Sequence, residues 1–379
     1  MGSLCIDNYI REVKLPGFFC DDLNMKRTII ETYLYSKEKP SRFLFPVLNS
    51  LAYFQKWGMW VRSQKTVYRP NIYVVSFGGI TIGGVGKTPA VIERLENETK
   101  DGNKKICVIS RGYGTKKYRG IIEGCYKGEN VHLRKYYKEN RFPVEEITIP
   151  INKAYTILGD ELSLILYRIK NITVVKDSNR VRAVKWAEHN GFNMVILDDA
   201  YQYLMIGRNE NILLLSALNP WGNGLIFPAG ILREPLDAMH RATEIWITHC
   251  DQVPKENLKK LKIFLKDICP EKKIRWTYHK PLYWTKKNSS YQLPVDYFTG
   301  KDVDVFCAVG NPQSFLNILG RQQINIKNTY LYRDHTPIPS KILKGERVIL
   351  TTEKNLLTLE EERAEVYALC IGLADYLWD

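Results

Sequence analysis

Long apolar runs are missing from this sequence of 379 residues. No window of 18 or more residues is free of polar groups, which argues against a membrane-spanning helix. Residues 1–8 lack a basic segment followed by an apolar one, so we expect no secretory signal. The eight cysteines are scattered, without dense pairing or a C-x-x-C motif, and this favours a reducing cytosol over a disulfide framework. Internal repeats and low-complexity tracts are also missing, which argues against a repeat architecture.

Positive charge, in contrast, is in excess. The chain carries 55 Lys and Arg against 41 Asp and Glu, a formal net charge of +14. This excess predicts an anionic partner, which could be nucleic acid, a nucleotide or an anionic lipid surface. The basic residues are spread out rather than gathered with aromatics in a recognised module, which counts against nucleic acid. With 45% apolar and 25% charged residues the chain is typical of a folded protein, and its length favours two domains.

One segment near the N-terminus combines an apolar face with aromatic and basic neighbours. Residues 43–62 (FLFPVLNSLAYFQKWGMWVR) carry apolar side chains at helical spacing, and Trp57 and Trp60 lie close to Lys56 and Lys65 in the sequence. This pattern is typical of an amphipathic helix lying in a membrane interface. It fits equally well a helix that packs on the core of the protein itself.

After Pro70, short apolar runs alternate with helical stretches. This alternation predicts an α/β fold with a mostly parallel sheet and helices on both faces. Helices are predicted at 88–97 and 179–189. The predicted strands are 71–76, 105–110, 172–175, 194–197, 211–215 and 244–248.

Beyond residue 280 the pattern changes again. Residues 281–298 are rich in Tyr, Trp, Lys and Ser without a helical period, which predicts a linker of short extended strands. A smaller α/β lobe is predicted from strands at 303–307, 327–331 and 347–351 and a helix at 312–321. The predicted organisation is an N-terminal segment with the amphipathic helix (1–65), a P-loop kinase domain (66–280), a β-linker (281–302) and a smaller C-terminal lobe (303–379).

The strongest single motif is TIGGVGKT at residues 81–88, which follows a predicted strand and opens a predicted helix, the context of a Walker A loop. Its glycines let backbone N–H groups face phosphate oxygens, and the helix N-terminus adds its dipole. We expect Lys87 to reach the β- and γ-phosphates and the Thr88 hydroxyl to ligate Mg²⁺. The strict motif has Gly where this chain has Thr81. Gly83, Gly84 and Gly86 supply the same backbone freedom. The expected nucleotide-binding residues are Thr81, Ile82, Gly83, Gly84, Val85, Gly86, Lys87 and Thr88.

A second acidic group for the metal follows the apolar run 194–197. Asp198 and Asp199 come directly after it, at the edge of the sheet where ligands bind in α/β folds. With the loop, they predict a Mg²⁺ site formed by Thr88, Asp198 and Asp199. Guanine-specific P-loop proteins usually carry N-K-x-D or T-K-x-D after a late strand. The comparable stretch here, 248–251 (THCD), lacks the lysine, so ATP is the predicted nucleotide.

Taken together, these residues resemble the tetraacyldisaccharide 4′-kinase family, the membrane-associated lipid A 4′-kinases. The resemblance extends from about Phe43 to Leu373. It depends on motifs that occur in the order of the family: 83–89 (GGVGKTP), 110–114 (SRGYG), 159–161 (GDE), 197–202 (LDDAYQ), 228–235 (PAGILREP), 310–312 (GNP), 334–335 (DH) and 351–354 (TTEK).

The resemblance implies transfer of the γ-phosphoryl group of ATP, with Mg²⁺, to the 4′-hydroxyl of a tetraacyldisaccharide 1-phosphate, giving lipid IVA. It implies that Asp160 is the general base and that His335, from the second lobe, is its partner. Arg233 and Glu234 match residues that line the catalytic cleft of the family, and with Lys87 they complete the expected catalytic set. From the residues alone, Asp160 fits a helix N-cap equally well. The implied fold is two α/β lobes joined by a β-linker.

The implied acceptor is an acylated, phosphorylated disaccharide held in a membrane leaflet. This favours the interfacial interpretation of 43–65, because an enzyme meeting such a substrate needs an apolar anchor and positive charge. We expect a peripheral protein at the cytoplasmic face of the inner membrane, with the lipid A disaccharide precursor and the anionic membrane surface as partners and no nucleic acid. The alternatives are a regulatory or metallochaperone-type P-loop NTPase without a sugar acceptor and a basic nucleic-acid-binding protein.

Residues 118–155 form a longer segment than expected for the family.

Overall fold

Short apolar segments of the sequence form the buried strands at the centre of the molecule. The computed structural model describes residues 44–378 apart from 65, 101, 113–114, 128, 139, 288, 290, 335 and 360–364. Within these residues a parallel sheet has the order β6-β2-β7-β1-β8-β9. Each of its strands overlaps one of the six predicted runs, which are thereby confirmed. The strands are β1 (Tyr73–Gly78), β2 (Ile106–Ser110), β6 (Thr173–Lys176), β7 (Met194–Leu197), β8 (Glu210–Ser216) and β9 (Glu244–Thr248).

Helices cover both faces of this sheet. In β1, Val75 and Phe77 pack into one apolar cluster, whereas Val74 packs into another on the opposite face. The first cluster includes side chains of α2 (Lys87–Glu98), α3 (Ile151–Leu158) and α4 (Asp160–Arg168), and the second includes those of α5 (Arg180–His189). A third cluster includes α6 (Lys255–Ile268). The predicted parallel sheet with helices on both faces is therefore confirmed.

An antiparallel extension at one edge of the sheet was not predicted from the sequence. Strand β3 (Gly120–Lys127) pairs antiparallel with β6, then β4 (Asn130–Tyr137) pairs with β3 and β5 (Glu145–Pro150) pairs with β4. In residues 130–134 of β4 buried and more exposed side chains alternate, which is the period-2 pattern of a strand with one solvated face. The extension lies within the segment 118–155.

One long strand belongs to both lobes. In β10 (Lys273–Thr285), residues 273–276 pair parallel with β9, and residues 277–285 pair antiparallel with β15 (Val366–Asp375). The second sheet has the order β13 (Asn325–Leu331), β12 (Asp302–Cys307), β14 (Ile349–Thr352), β15 and β10, with a short β11 (Gln292–Leu293) also on β10. The expected boundary between residues 280 and 281 lies inside β10, and the four-segment division of the chain stays a prediction.

The second lobe contains the predicted strands and helix. Its remaining strands are β12 (Asp302–Cys307), β13 (Asn325–Leu331) and β14 (Ile349–Thr352), and its helices are α7 (Pro312–Arg321), α8 (Ser340–Leu343) and α9 (Glu353–Leu357). Short 3₁₀-helices occur at Leu236–Arg241, Cys250–Gln252 and Val295–Phe298.

The predicted N-terminal helix is α1 (Leu44–Ser63). It contacts the rest of the protein through Ala52, which is buried, and Gln55, whose Nε2 donates to the carbonyl of Arg233 at 3.0 Å. Most of its apolar side chains point away from the core, since Phe54 and Trp57 are 69% and 60% exposed. Among the described helices none combines the length and apolarity needed to cross a membrane.

A buried ion pair fastens the two lobes together. Nη1 of Arg168, in α4, donates to both carboxylate oxygens of Glu353, in α9, at 2.9 and 3.1 Å. The same nitrogen donates to the carbonyl of Ile371 at 3.2 Å, and the amide of Ile371 donates to Glu353 at 3.3 Å. Burial lowers the pKa of Arg168, but Glu353 more than offsets this and keeps it above its ordinary value.

We expect Glu353→Gln to lower the free energy of unfolding by about 3 kcal/mol, because the substitution removes the buried charged partner of Arg168 and leaves only Glu96, whose side chain is 45% exposed. Urea denaturation followed by circular dichroism measures the change. The control is Glu365→Gln, which removes a pair with Lys286 in which the Glu365 side chain is 62% exposed. This control should cost less than about 1 kcal/mol. Equal losses for the two variants would contradict the role given to the buried pair.

Candidate functional site

The Walker A loop leaves the C-terminal end of β1 and leads into α2. Gly83 and Gly86 have φ of 114° and 78°, so both occupy the left-handed region that favours glycine. Thr81 instead forms a β-bridge with Leu232 and is buried. An extended residue with a partner across the bridge needs no glycine, since β-branched side chains favour this conformation. This explains the departure of Thr81 from the strict motif.

The segment 228–235 supports the loop from one side. The amide of Ile82 donates to the carbonyl of Ile231 at 2.8 Å, and the amide of Arg233 donates to the carbonyl of Ile80 at 2.6 Å. These backbone hydrogen bonds position the side chain of Arg233 beside the phosphate-binding turn. Two motifs that are 140 residues or more apart in the chain thus form one unit.

The second lobe contacts the loop from the other side. A Cβ added to Gly84 would lie 3.3 Å from the Cβ of Asn311, and a Cβ added to Gly310 would lie 3.2 Å from the amide nitrogen of Gly84. The motif 310–312 therefore packs directly on the Walker A loop. Small residues at Gly84 and Gly310 permit this close approach of the two backbones.

A buried group of polar side chains, which sequence analysis missed, lies behind the loop. Thr248 donates its hydroxyl to the carbonyl of Val85 at 3.1 Å, and its Oγ1 lies 3.0 Å from Nδ1 of His249. The rings of His249 and His279 are 4.5 Å apart, and a Cβ added to Gly86 would lie 2.8 Å from Nε2 of His279. Burial lowers the pKa of His279 to about 4, and burial together with His279 lowers the pKa of His249 well below its ordinary value. Both rings are therefore neutral at pH 7, and the ring of His279 fills the space beneath Gly86.

Three of the predicted residues meet at Asp199. Its Oδ1 lies 3.7 Å from Nζ of Lys87, and Nη1 of Arg233 donates to its two oxygens at 2.9 and 3.1 Å. Burial raises the pKa of this carboxyl, but Lys87 and Arg233 outweigh burial and lower it to about 2. Asp199 is therefore ionised throughout the physiological range. The two cations converge where the phosphates of a nucleotide are expected.

An arginine that sequence analysis missed holds the backbone of both aspartates. Nη2 of Arg180, at the start of α5, donates to the carbonyls of Asp198 and Asp199 at 2.9 and 2.8 Å. Asp199 has a φ of 44°, a left-handed conformation that is uncommon for a residue other than glycine. Arg180 is 3% exposed, and its hydrogen bonds offset the strain of this conformation. The sequence offered only a charged residue at the beginning of a predicted helix.

Asp198 has an environment opposite to that of Asp199. It is 1% exposed, and neither carboxylate oxygen has a hydrogen-bond partner. Burial, together with the negative charges of Glu161 and Asp199, raises the pKa of Asp198 to about 8. An unpartnered buried carboxylate beside a phosphate-binding loop is suited to a cation, because a metal ion compensates the charge that burial leaves unpaired.

The residues present fit Mg²⁺ bound together with a nucleotide. Magnesium in such sites takes one or two protein carboxylates and otherwise phosphate oxygens and water. Thr88 lies in the first turn of α2, and Asp198 and Asp199 follow β7. In the part of the chain that the structure describes, no group of three or more His, Cys, Asp or Glu is arranged around a metal position. A nucleotide-linked Mg²⁺ does not require such a group.

Glu234, predicted as a catalytic residue, is engaged on both carboxylate oxygens. Nε2 of Gln202 donates to Oε1 at 2.8 Å, and Nη2 of Arg241 donates to Oε2 at 2.6 Å. Gln202 also donates to the carbonyl of Gly79 at 2.9 Å. The side chain of Glu234 therefore ties the segment 228–235 to the turn after β1, and its catalytic role stays a prediction.

Asp160 is the first residue of α4 and is buried, and Gly159 occupies the N-cap position with a φ of 96°. The interpretation of Asp160 as a helix N-cap is therefore wrong. Its Oδ2 lies 2.8 Å from Nζ of Lys354, a residue of α9 to which sequence analysis gave a place in the motif 351–354 but no role. The same Nζ lies 3.2 Å from Oδ1 of Asp334. His335, the predicted partner of Asp160, lies outside the described residues.

We expect Gly86→Ala to weaken ATP binding by about tenfold or more, because the new Cβ combines left-handed strain with a contact of 2.8 Å to His279. Titration calorimetry with ATP measures the affinity. The matched control is Gly102→Ala, where φ is also positive (66°) but nothing lies within 4 Å of the added Cβ. A normal affinity for Gly86→Ala would show that the loop tolerates the contact.

Known proteins resemble this chain over most of its length. A family model described as tetraacyldisaccharide-1-P 4′-kinase matches residues 42–125 and 134–374. The unmatched interval contains the turn between β3 and β4 and lies inside the segment expected to be long for the family. Three similar proteins are named tetraacyldisaccharide 4′-kinase. The protein from Francisella philomiragia is 27% identical, with 79% of this chain and 85% of that protein covered. The protein from Elusimicrobium minutum is 26% identical, with 92% of this chain and 89% of that protein covered. The protein from Chlamydia trachomatis is 29% identical, with 82% of this chain and 77% of that protein covered.

A solved structure supports the fold. The "apo" form of LpxK from Aquifex aeolicus, in complex with ATP, superimposes with a TM-score of 0.63 at 22% identity, covering 88% of this chain and 94% of that one. The expected α/β architecture is thus confirmed by a second comparison. Because the family model matches well over half of the residues, this chain belongs to the tetraacyldisaccharide-1-P 4′-kinase family.

Proposed function

We propose that the protein transfers the γ-phosphoryl group of ATP to the 4′-hydroxyl of a tetraacyldisaccharide 1-phosphate, giving lipid IVA. The observation that carries this proposal is the convergence of Lys87, Arg233 and Asp199 beside the unpartnered carboxylate of Asp198. These groups come from three separate motifs that the family shares. Their geometry suits a nucleotide triphosphate, and family membership supports the lipid acceptor.

Lys87 and Arg233 supply positive charge for the transferring phosphoryl group. The contact between Lys87 and Asp199 is long, at 3.7 Å, so the ammonium keeps hydrogen-bonding capacity for phosphate oxygens. Mg²⁺ held by Thr88, Asp198 and Asp199 would neutralise further phosphate charge. Positioning and charge neutralisation account for most of the rate enhancement in phosphoryl transfer, and these residues provide both.

Asp160 is proposed as the general base. As the 4′-hydroxyl oxygen forms its bond to the γ-phosphorus, the bond to the β–γ bridging oxygen breaks and ADP leaves. The hydroxyl proton passes to the carboxylate of Asp160. This carboxylate lies at the N-terminus of α4, and the adjacent Glu161 interacts with Asp198. That interaction supports a location of the base beside the proposed metal site.

We expect Asp160→Asn to reduce turnover by about 10²-fold or more while ATP affinity stays nearly unchanged, because the amide cannot accept the proton. The assay follows transfer of labelled γ-phosphate to a tetraacyldisaccharide 1-phosphate in detergent micelles, and Lys87→Ala serves as an inactive reference. Asp296→Asn, at an exposed aspartate in the 3₁₀-helix Val295–Phe298, is the matched control and should remain active. Wild-type ATP hydrolysis without a labelled lipid would favour the alternative of a regulatory NTPase.

The exposed apolar face of α1 supports a peripheral location at an anionic membrane surface. Leu51, Phe54, Trp57 and Trp60 are more than half exposed, and the chain carries a net charge of +14. Aromatic and apolar side chains of this kind enter the headgroup region, and positive charge draws the protein to anionic lipids. The hydrogen bond between Gln55 and the carbonyl of Arg233 joins this helix to the site. Binding of α1 to the cytoplasmic face of the inner membrane would therefore bring the site close to the lipid acceptor.

We expect Trp57→Glu to reduce binding to vesicles that contain anionic lipid by about tenfold, because it places a negative charge in the apolar face. Co-sedimentation with phosphatidylglycerol-containing vesicles measures the bound fraction. Ile263→Glu is the matched control, since Ile263 is similarly exposed (62%) but lies in α6. Equal binding by both variants and the wild type would mean that α1 is not the contact surface.

A further inference from the structure

An exposed aromatic side chain lies in the turn that connects β4 with β5. Of this β4–β5 turn (residues 137–144) the structure describes all residues but 139. Phe142 is 81% exposed, Val144 is 57% exposed and Tyr137, at the end of β4, is 42% exposed. Large apolar side chains exposed this close together often mark a surface that another molecule covers. The phosphoryl transfer proposed above makes no use of this turn.

Backbone hydrogen bonds support the β4–β5 turn. The amide of Val144 donates to the carbonyl of Lys135 at 2.7 Å, which closes the turn on β4. The amide of Lys138 donates to the carbonyl of Arg119 at 3.2 Å, which ties the turn to the segment that leads into β3. Phe142 is therefore presented by a supported turn, and this reduces the conformational entropy that is lost when the turn binds a partner.

The turn lies at the same edge of the sheet as the candidate site. Strand β3 is antiparallel to β6 and β4 is antiparallel to β3, so β4 runs in the direction of the six parallel strands. Ile122 of β3 pairs with Lys176, the last residue of β6, whereas Gly120 pairs with Tyr137. The end of β4 therefore extends about 7 Å beyond the end of β6. The Walker A loop and Asp198 follow the carboxyl ends of β1 and β7 at this same edge.

Helix α1 contacts this edge as well. Gln55 donates to the carbonyl of Arg233, and the amide of Arg233 donates to the carbonyl of Ile80, shortly after β1. In the order of the sheet, β7, β2, β6 and β3 lie between β1 and β4, which corresponds to a separation of about 24 Å. Strand β7 leads to Asp198 and Asp199. The exposed apolar side chains of α1 and of the β4–β5 turn therefore lie at two separated places along the edge that carries the site.

Positive charge surrounds the exposed side chains of the β4–β5 turn. Exposed cations lie in the turn itself and in the segment 115–119 that leads into β3. They are Lys116, Lys117, Arg119, Lys138 and Arg141. An aromatic side chain among exposed lysines and arginines is suited to an anionic lipid surface, because the ring enters the headgroup region while the cations pair with lipid phosphates.

Acidic side chains do not cancel this charge. The segment 115–146 contains five acids. Glu123 is buried, and Glu129 lies between β3 and β4, at the opposite end of that hairpin. Glu145 and Glu146, at the start of β5, each pair with a cation of β4. The sequence adds only Glu139 to the turn. The charge of the surface around Phe142 is therefore positive.

We propose that the β4–β5 turn is a second membrane-binding element, which inserts Phe142 among the headgroups of an anionic phospholipid bilayer while Lys138 and Arg141 pair with lipid phosphates. This inference goes beyond the proposed function, because it requires neither the kinase activity nor the binding of α1. Together with α1, the turn holds the carboxyl edge of the sheet toward the bilayer at two separated points. Two contacts on one folded body bind more tightly than either contact alone.

The experiment measures co-sedimentation of the full-length protein with phosphatidylcholine vesicles that contain or lack phosphatidylglycerol. We expect Phe142→Glu to weaken binding to the anionic vesicles by about tenfold, because it replaces the inserted ring by a negative charge. The double variant Lys138→Gln/Arg141→Gln should also weaken it by about tenfold or more, since each cation near an anionic surface contributes about fivefold. This second loss should be absent with vesicles of phosphatidylcholine alone.

Matched controls separate the turn from the rest of the surface. Tyr291→Glu is the control for Phe142→Glu, because Tyr291 is 70% exposed but lies between β10 and β11. Lys341→Gln/Lys344→Gln, at two exposed lysines in and just after α8, is the control for the charge. Both controls should bind like the wild type. Phe142→Glu combined with Trp57→Glu should bind more weakly than either single variant, because the two contacts lie apart.

The outcomes separate this inference from the proposed function. Wild-type binding by both turn variants would overturn the role of the turn and leave the kinase reaction untouched. Equal losses for the turn variants and their controls would overturn it too, because binding would then follow net charge alone. Normal vesicle binding with altered self-association in sedimentation would assign Phe142 to an interface between copies of the chain instead. A wild type that binds anionic vesicles but labels no lipid would overturn the proposed function and not this inference.

Discussion

The site depends on the ion pairs that the carboxylate of Asp199 forms. It binds Lys87 from the Walker A loop and Arg233 from the segment 228–235, while Arg180 holds its backbone in a left-handed conformation. Four parts of the chain therefore meet at one residue. Lys87 and Arg233 outweigh the effect of burial on the pKa of Asp199, so this residue stays ionised. The carboxylate of the neighbouring Asp198, in contrast, has no hydrogen-bond partner. The ion-paired Asp199 and the unpartnered Asp198 together form a site that suits a cation and a polyphosphate.

A second constraint is the joining of the two lobes. Strand β10 belongs to both sheets, so the relative position of the lobes is set by main-chain hydrogen bonds as well as by side chains. The pair of Arg168 and Glu353 then fixes α4 against α9, and these helices carry Asp160 and Lys354. The contact of Gly84 with Asn311 adds a third junction at the phosphate-binding loop. The proposed base and nucleotide site are thus assembled at the interface between the lobes.

Much of the fold could be predicted from the sequence because its signals are local. The buried strands are short apolar runs such as 194–197, and the helix at 312–321 begins with Asn311 as a capping residue followed by proline. The antiparallel strands β3, β4 and β5 were missed. The more exposed side chains of β4 and β5 dilute the apolar signal, and the buried part of β3 is interrupted by Gly120, Glu123 and Gly124. The pairing of β10 with β15 was also missed. Two strands about 90 residues apart carry no mark of their partner in the sequence.

The site divides in the same way. The sequence by itself predicted Lys87, Thr88, Asp198 and Asp199 as site residues, because a glycine-rich turn and two acids after an apolar strand are contiguous patterns with a direct chemical meaning. Only the tertiary structure showed that Arg180 holds the backbone of the two aspartates, that His279 lies against Gly86 and that Lys354 contacts Asp160. It also decided that Glu234 is enclosed by Gln202 and Arg241. Single charged residues in helices and strands reveal no partner in the sequence, since their contacts arise when distant segments pack and exclude water.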